Sequence, residues 1–349
     1  GYVVAWLERD AVRASVLAGD ATPITERRLL SLEPQGPAAR PVLAARGDSG
    51  EVWAVWTQRP ADGGSLLAGR VVDAGAGEIG PLFGLDGGGS PSATALAYDP
   101  AGDAFGLAVR ATVQLDDSTG DAIELRRYDA ATRELLGCAV VATGSQVAQP
   151  GLAYDPVAGE WLVAWEDGAA LAAQRFDAAT LTPRGQPINL GAGAEPVPAY
   201  NAGAREWTVL LRRSNGLTLS RFEAGRDAPP VLPVLVAPSP IDDRGIALRY
   251  GAQSAMLRAA WGAGDGLNAR LATRRRTAGG TFFDTATLLD PIDAEQFTPA
   301  MAYNGGGLEW LVVWVDRRGI FRQVFAQRSA AVDADADGDG LPNDWELSF

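Results

Sequence analysis

The sequence predicts an all-β fold, specifically a β-propeller, on three observations. A block of residues recurs at intervals of 46 to 56 along the 349-residue chain. Within each block two apolar runs keep one fixed separation. No amphipathic helix of normal length appears before residue 340. A period near 50 residues suits one four-stranded antiparallel blade.

Each strand of the unit can be read in turn from its clearest copy. The first run, Gln149-Pro150-Gly151-Leu152-Ala153-Tyr154, ends in an aromatic residue. Its counterparts peak at Ala45, Tyr98, Tyr200, Tyr250 and Tyr303. Turn formers follow, as in Tyr154-Asp155-Pro156 to Gly159 and Tyr303-Asn304-Gly305-Gly306-Gly307. The second run, Glu160-Trp161-Leu162-Val163-Ala164-Trp165, is apolar on both faces, as expected of a strand packed between neighbouring sheets. Its counterparts end at Trp6, Trp56, Val109, Leu211, Trp261 and Trp314, and the offset from the first run is 11 residues in all six copies that have both. The third run carries Arg followed closely by an acid: Arg70-Val71-Val72-Asp73, Arg127-Tyr128-Asp129, Arg175-Phe176-Asp177 and Arg221-Phe222-Glu223, with Arg328 a partial copy. This regularity suggests structural ion pairs between blades. The block closes with Pro187-Ile188-Asn189-Leu190.

The second strand occurs seven times and the first only six. The N-terminal copy (Tyr2–Trp6, Val12–Leu17, Ile24–Leu32) lacks a leading strand, and the C-terminal copy (Pro299–Tyr303, Glu309–Trp314, Ile320–Arg328) lacks a fourth. The expectation is seven blades with the first and last incomplete. The alternative merges the two partial copies into one, giving six. The pattern Pro-x-Leu-Ala-Tyr, Glu-Trp-Leu-Val-Ala-Trp, Ala-Gln-Arg-Phe-Asp resembles the blade repeats of large secreted or surface-attached bacterial proteins, over the chain to about Ser329. That resemblance implies a propeller over 1–329 and an extracellular or cell-surface location. It does not specify a function, because propellers carry enzymes, lectins and scaffolds alike.

Composition removes several chemistries. There is no His, and all 30 basic residues are Arg. Imidazole-based nucleophile systems, His metal ligands, Schiff bases and P-loop lysines are therefore excluded. The single Cys138 excludes an internal disulfide or a thiolate metal cluster. A net charge of −13 argues against nucleic acid and anionic lipid as partners. No stretch reaches the roughly 20 apolar residues of a membrane span. The run Arg274-Arg275-Arg276 reads as a solvated hairpin. The chain opens directly on a strand-like run without an initiator Met, and reads as part of a longer protein with neighbouring domains.

Residues 330–349 carry the one motif with its own chemistry. Asp335, Asp337 and Asp339 occupy positions 1, 3 and 5 of a twelve-residue calcium loop, and Gly340 occupies the sharp turn at 6. Leu341 would offer its carbonyl, Asn343 a direct or water-mediated ligand, and Glu346 a bidentate carboxylate. A register from Asp333 instead places Asp344 last. The Asp-Gly-Asp-Gly-Leu-Pro-x-x-Trp-Glu form resembles thrombospondin type 3-like repeats, which implies a truncated Ca²⁺-binding segment after the propeller.

Other signals have plain readings beside the functional ones. Arg46-Gly47-Asp48-Ser49 spells an integrin-recognition tripeptide in a hairpin turn, where Gly-Asp is also ordinary turn chemistry. The ten Trp residues could line sugar pockets, but five (Trp6, Trp56, Trp165, Trp261, Trp314) share one repeat position suited to inter-blade core. Asp116-Asp117 and Asp242-Asp243 could act as carboxylate pairs in glycoside cleavage, but they fall in turn-like stretches. No catalytic motif emerges. The expected role is a non-catalytic binding or adhesion module for a protein or glycan ligand. The alternatives are a carbohydrate-active propeller enzyme using carboxylates and Tyr, and a structural spacer.

Overall fold

The computed structural model describes residues 1–31, 39–59, 65–85, 91–115, 118–225, 231–239, 241–264, 269–280, 284–289, 295–317 and 322–330. The fold is a seven-bladed β-propeller, and each blade is an antiparallel sheet of consecutive strands. Blade 1 comprises β1 (Tyr2–Glu8), β2 (Ala11–Leu17) and β3 (Pro23–Leu29). Blade 2 comprises β4 (Val42–Ala45), β5 (Glu51–Gln58), β6 (Leu66–Asp73) and β7 (Phe83–Leu85). Blade 3 comprises β8 (Ser92–Asp99), β9 (Ala104–Leu115), β10 (Ser118–Asp129) and β11 (Leu135–Thr143). Blade 4 comprises β12 (Val147–Asp155), β13 (Glu160–Asp167), β14 (Ala170–Asp177) and β15 (Pro183–Ala192). Blade 5 comprises β16 (Ala194–Asn201), β17 (Glu206–Arg213), β18 (Gly216–Glu223) and β19 (Val231–Pro238). Blade 6 comprises β20 (Ile241–Gly251), β21 (Met256–Ala263), β22 (Arg270–Thr277) and β23 (Thr287–Leu288). Blade 7 comprises β24 (Gln296–Asn304), β25 (Glu309–Asp316) and β26 (Gln323–Ala330).

Among the described residues the terminal blades each show three strands, the first without the leading strand and the last without the fourth, as the repeat count predicts. Both contain the second and third strands, so they cannot merge into one blade, which settles the count at seven. The chain divides into two compact units. One comprises Gly1–Tyr200 with Arg205–Leu235, and the other Asn201–Ala204 with the chain from Val236 onward.

Tryptophan supplies much of the core. Trp53, Trp56, Trp161, Trp165, Trp207, Trp261, Trp310 and Trp314 are all buried. Each takes about 200 Å² from water, a gross gain of about 5 kcal/mol before entropy is charged against it. Trp161, Val163 and Trp165 share a face of β13 and pack with Ile123, Leu125 and Ala108 of blade 3. Trp53 stacks on Phe105 of the next blade at 4.3 Å between ring centroids. These rings are structural and do not form sugar platforms.

Three of the five recurring Arg pair with an acid of their own blade, not between blades as expected. Arg175 Nη1 lies 3.1 Å from Glu160 Oε2, Arg221 Nη1 lies 3.5 Å from Glu206 Oε2, and Arg328 Nε donates to Glu309 Oε2 at 3.0 Å. The register explains this. Glu160 opposes Asp177 and Leu162 opposes Arg175, so Glu160 and Arg175 are diagonal neighbours on one face. Arg70 departs from the rule because one extra residue separates it from Asp73. The shift turns its side chain to the other face. There it donates to the carbonyls of Leu30 and Gly80 at 2.7 and 2.8 Å.

The triple-Arg run is also not a solvated hairpin. It lies inside β22, paired to β21. Arg276 is buried and donates to the Gly280 carbonyl at 2.6 Å, and Arg275 pairs with Asp284 at 2.9 Å. Asp242 and Asp243 lie within β20 and not in a turn, while Asp116 and Asp117 fall outside the described residues.

The leading strands carry a kink that the sequence reading did not anticipate. Register shifts interrupt β12–β13 between Ala148 and Gly151, and β24–β25 between Phe297 and Ala300. Gln149, Glu195 and Thr298 adopt φ of 47°, 54° and 57°, and each precedes a proline. Blade 6 places Gly245 at the corresponding site with φ 123°. A left-handed residue before proline is unfavourable, and for β-branched Thr298 doubly so. The bulge therefore persists because the surrounding sheet imposes it.

Candidate functional site

The proposed calcium ligands Asp335, Asp337, Asp339, Leu341, Asn343 and Glu346 lie outside the described residues. Among the described residues no group of three or more acids or Cys is placed to hold a metal ion. Each blade instead has two chemically different ends.

At the turn end, the first strand turns into the second and the third into the fourth. The first of these turns spans four residues in five of six blades: 100–103, 156–159, 202–205, 252–255 and 305–308. Its last residue is left-handed every time: Gly50, Asp103, Gly159, Arg205, Ala255 and Leu308. Asp caps both kinds of turn. Asp155 Oδ1 accepts from the amides of Val157 and Ala158 at 2.7 and 3.2 Å, and Asp99 from those of Ala101 and Gly102. Asp73, Asp129 and Asp177 do the same for the second kind. So the acid after the recurring Arg serves as a turn cap.

Alanine then ties the two turns of a blade together. The amides of Ala74, Ala130, Ala178, Ala224 and Ala278 donate to Gly50, Asp103, Gly159, Arg205 and Ala255 at 2.8 to 3.0 Å. The repeated Tyr finally reaches the turn of the preceding blade. Tyr154 faces Asp99 and Tyr200 faces Asp155, while Tyr250 Oη accepts from the Gly203 amide at 2.9 Å. Burial, then the carboxylate beside it, raises the Tyr154 phenol well above its ordinary range, and Tyr200 rises to about 12 for the same reasons.

These bonds set the acids' ionisation. The Arg184 guanidinium, with the Thr180 amide, holds Asp177 down to about 2. Asp103 is lowered by Arg46, and Asp73 and Asp129 by turn amides. The Arg-Gly-Asp hairpin belongs to this system. Arg46 donates through Nε to Asp103 at 2.8 Å and through Nη1 to Glu51 at 2.8 Å. Its guanidinium is committed to the fold, so the tripeptide does not present a free Arg to a receptor.

The loop end holds the turns between second and third strands and the crossovers to the next blade. Lengths vary there. The second-to-third connection is two residues at 9–10, 116–117, 168–169 and 214–215, but spans 59–65, 264–269 and 317–322 in the other three blades. Polar clusters stand beside these connections. In blades 4 and 5, Glu166 Oε1 accepts from the Glu195 amide at 2.8 Å, and Arg212 lies 3.4 Å from Glu195. In blades 6 and 7, buried Gln296 accepts from the Leu271 amide at 2.8 Å and donates to buried Asp316 at 3.3 Å, with Arg317 at 3.6 Å from Glu295.

Blade 1 holds an open cleft of about 400 Å³ lined by Glu8, Arg9, Asp10, Ala11, Arg13, Arg27 and Leu29. Arg13 Nε lies 3.0 Å from Glu8 Oε2, and Arg27 Nε donates to the same oxygen at 3.2 Å. These guanidiniums, Arg27 foremost, hold the Glu8 carboxyl below its ordinary value. Sequence reading missed the cleft because Arg27 joins Glu8 and Arg13 only once the three-strand register is known. The run Glu8-Arg9-Asp10 in a two-residue turn was its one visible trace.

No family model matches the chain, and no curated relative matches it. Solved propellers resemble it in fold. The Dos1 propeller aligns with 87% of this chain and 70% of its own, at 10% identity and a TM-score of 0.56. The β-propeller domain of the Trilobed protease from Pyrococcus furiosus, which has an open velcro topology, covers 83% of this chain and 82% of its own at 9% identity, with a TM-score of 0.48. TolB from Acinetobacter baumannii covers 93% and 79% at 14% identity, with a TM-score of 0.47. At such identities the likeness is one of fold alone, and it rests on the first of these, which joins the chain's own strand order in describing a propeller.

Proposed function

We propose that this chain is a non-catalytic, extracellular binding or adhesion module that engages a protein or glycan through the loop ends of its blades. The contrast between the two ends supports this reading. The turn end repeats one set of structural bonds from blade to blade, and its acids serve as caps and counter-ions. The loop end varies in length and chemistry, which is where a rigid scaffold carries recognition. The Asp335–Glu346 loop is proposed to hold Ca²⁺ as the link to a neighbouring domain, in keeping with its donor spacing.

A glycan array paired with a polysaccharide hydrolysis assay tests the role. Capture without cleavage is expected, and release of reducing ends would replace the binding reading with the carbohydrate-active enzyme. Calorimetric titration with Ca²⁺ tests the loop. Saturable binding lost in Glu346→Gln is expected, and no heat at millimolar ion would remove the metal from the account.

A further inference from the structure

We infer that the blade 1 cleft binds the anionic group of an acidic sugar unit; this deepens the binding reading above and rests on it. The cleft gathers three guanidiniums, from Arg9, Arg13 and Arg27, against two carboxylates, Glu8 and Asp10. The local surplus is positive on a chain whose net charge is −13. A surface with so general a negative charge would repel an anion elsewhere, so a basic hollow is where one can settle.

The three cations are not equivalent. Glu8 accepts from Arg27 and pairs with Arg13, so one carboxylate orients two guanidiniums across the three strands of the blade. That is the arrangement in which planar guanidinium forks present their remaining donors in fixed directions. Arg9 sits in the two-residue turn with φ 55°, is exposed, and makes no ion pair among the described residues. It is the cation available to a ligand.

The rest of the lining suits the neutral part of a sugar. Asp10 can accept from hydroxyls, and Leu29 and Ala11 offer aliphatic surface beside the polar groups. A cavity of about 400 Å³ falls within the range of small-ligand sites and is open enough for one unit of a longer chain. Carboxylated and sulfated sugars share the required chemistry, an anion on a hydroxylated ring.

The test is ligand-observed NMR with glucuronate, glucose 6-sulfate and glucose on the unchanged chain and on Arg9→Ala. Arg9 is a turn residue with no ion-pair partner among the described residues, so this variant should fold normally, and circular dichroism checks that it does. Binding of one or both anionic sugars is expected, with the tighter one naming carboxylate or sulfate as the source. Affinity should fall about tenfold in Arg9→Ala, the effect of one charge-assisted hydrogen bond. Glucose should show no binding. Equal binding of glucose, no binding of either anion, or affinity unchanged in Arg9→Ala would overturn the assignment. Array capture that survives Arg9→Ala would leave the binding-module reading standing while removing this cleft from it.

Discussion

The turn end and the loop end of a blade are made from the same four strands, yet they follow different rules. At the turn end, the first-to-second turn keeps four residues in five of six blades, Asp or Asn precedes it in four of them, and the Ala amide and the Tyr ring recur from blade to blade. At the loop end the second-to-third connection has two residues in four blades and six or seven in three, the crossovers range from one residue at 193 to twelve at 30–41, and the polar groups form local clusters with no common pattern. A repeat fold buries its sheets only by stacking near-identical units. The end that carries the stacking contacts is therefore fixed in sequence, and the other is free to differ.

The comparison breaks most readily at the buried ion pairs near the turn end. Glu160→Ala leaves Arg175 nearly buried without its counter-ion, and should cost about 3–5 kcal/mol in urea denaturation. The double change Glu160→Leu with Arg175→Met should recover most of that, since both members are then apolar. A loss below about 1 kcal/mol for Glu160→Ala would mean that the pair is solvated in practice.

Removing a cap should cost less. Asp155→Ala deprives two turn amides of their acceptor, worth about 1–2 kcal/mol. It also takes the carboxylate away from Tyr200, so the phenol should titrate below its present value of about 12 in an ultraviolet titration. A phenol that does not move would show burial alone to be responsible.

Leu308 offers a gain in the opposite direction. It holds the left-handed turn position that Gly50 and Gly159 hold elsewhere, at φ 48°. Leu308→Gly relieves a strain of about 1–2 kcal/mol and gives back part of it as chain entropy, for a net stabilisation of about 0.5–1 kcal/mol. A destabilised variant would mean that the side chain packs usefully despite its partial exposure.

The smallest effect is one of pH. Asp177 has its folded pKa lowered to about 2, so its contribution is complete above the ordinary Asp value near 4 and is lost as pH falls through 2. The stability gap between the unchanged chain and Asp177→Asn should narrow over that window. A gap independent of pH would locate the effect in packing.

Much of this was legible in the sequence because the turn end is periodic. The 11-residue offset between the first two runs, the Asp or Asn after four of the five repeat Tyr and the seven copies of the second strand follow from spacing alone. The loop end was not legible, since its contacts join residues far apart with no repeated pattern, as Glu8 with Arg27. The Arg pairs fall between these cases. Their positions recur, but the partner is set by cross-strand register and not by the neighbouring acid. The left-handed residues before Pro150, Pro196 and Pro299 were hidden because proline in a strand reads as an interruption, whereas here it follows the residue that takes the kink.

The most direct test of the division between ends is an array of glycans and surface proteins read for capture and for cleavage. It would be probed with the unchanged chain, with Asp155→Asn at the turn end, and with Arg9→Ala together with Arg212→Ala at the loop end. The account predicts capture without cleavage, retained in Asp155→Asn and lost in the loop-end variant. Released reducing ends, or capture abolished by the turn-end change and indifferent to the loop-end one, would contradict it.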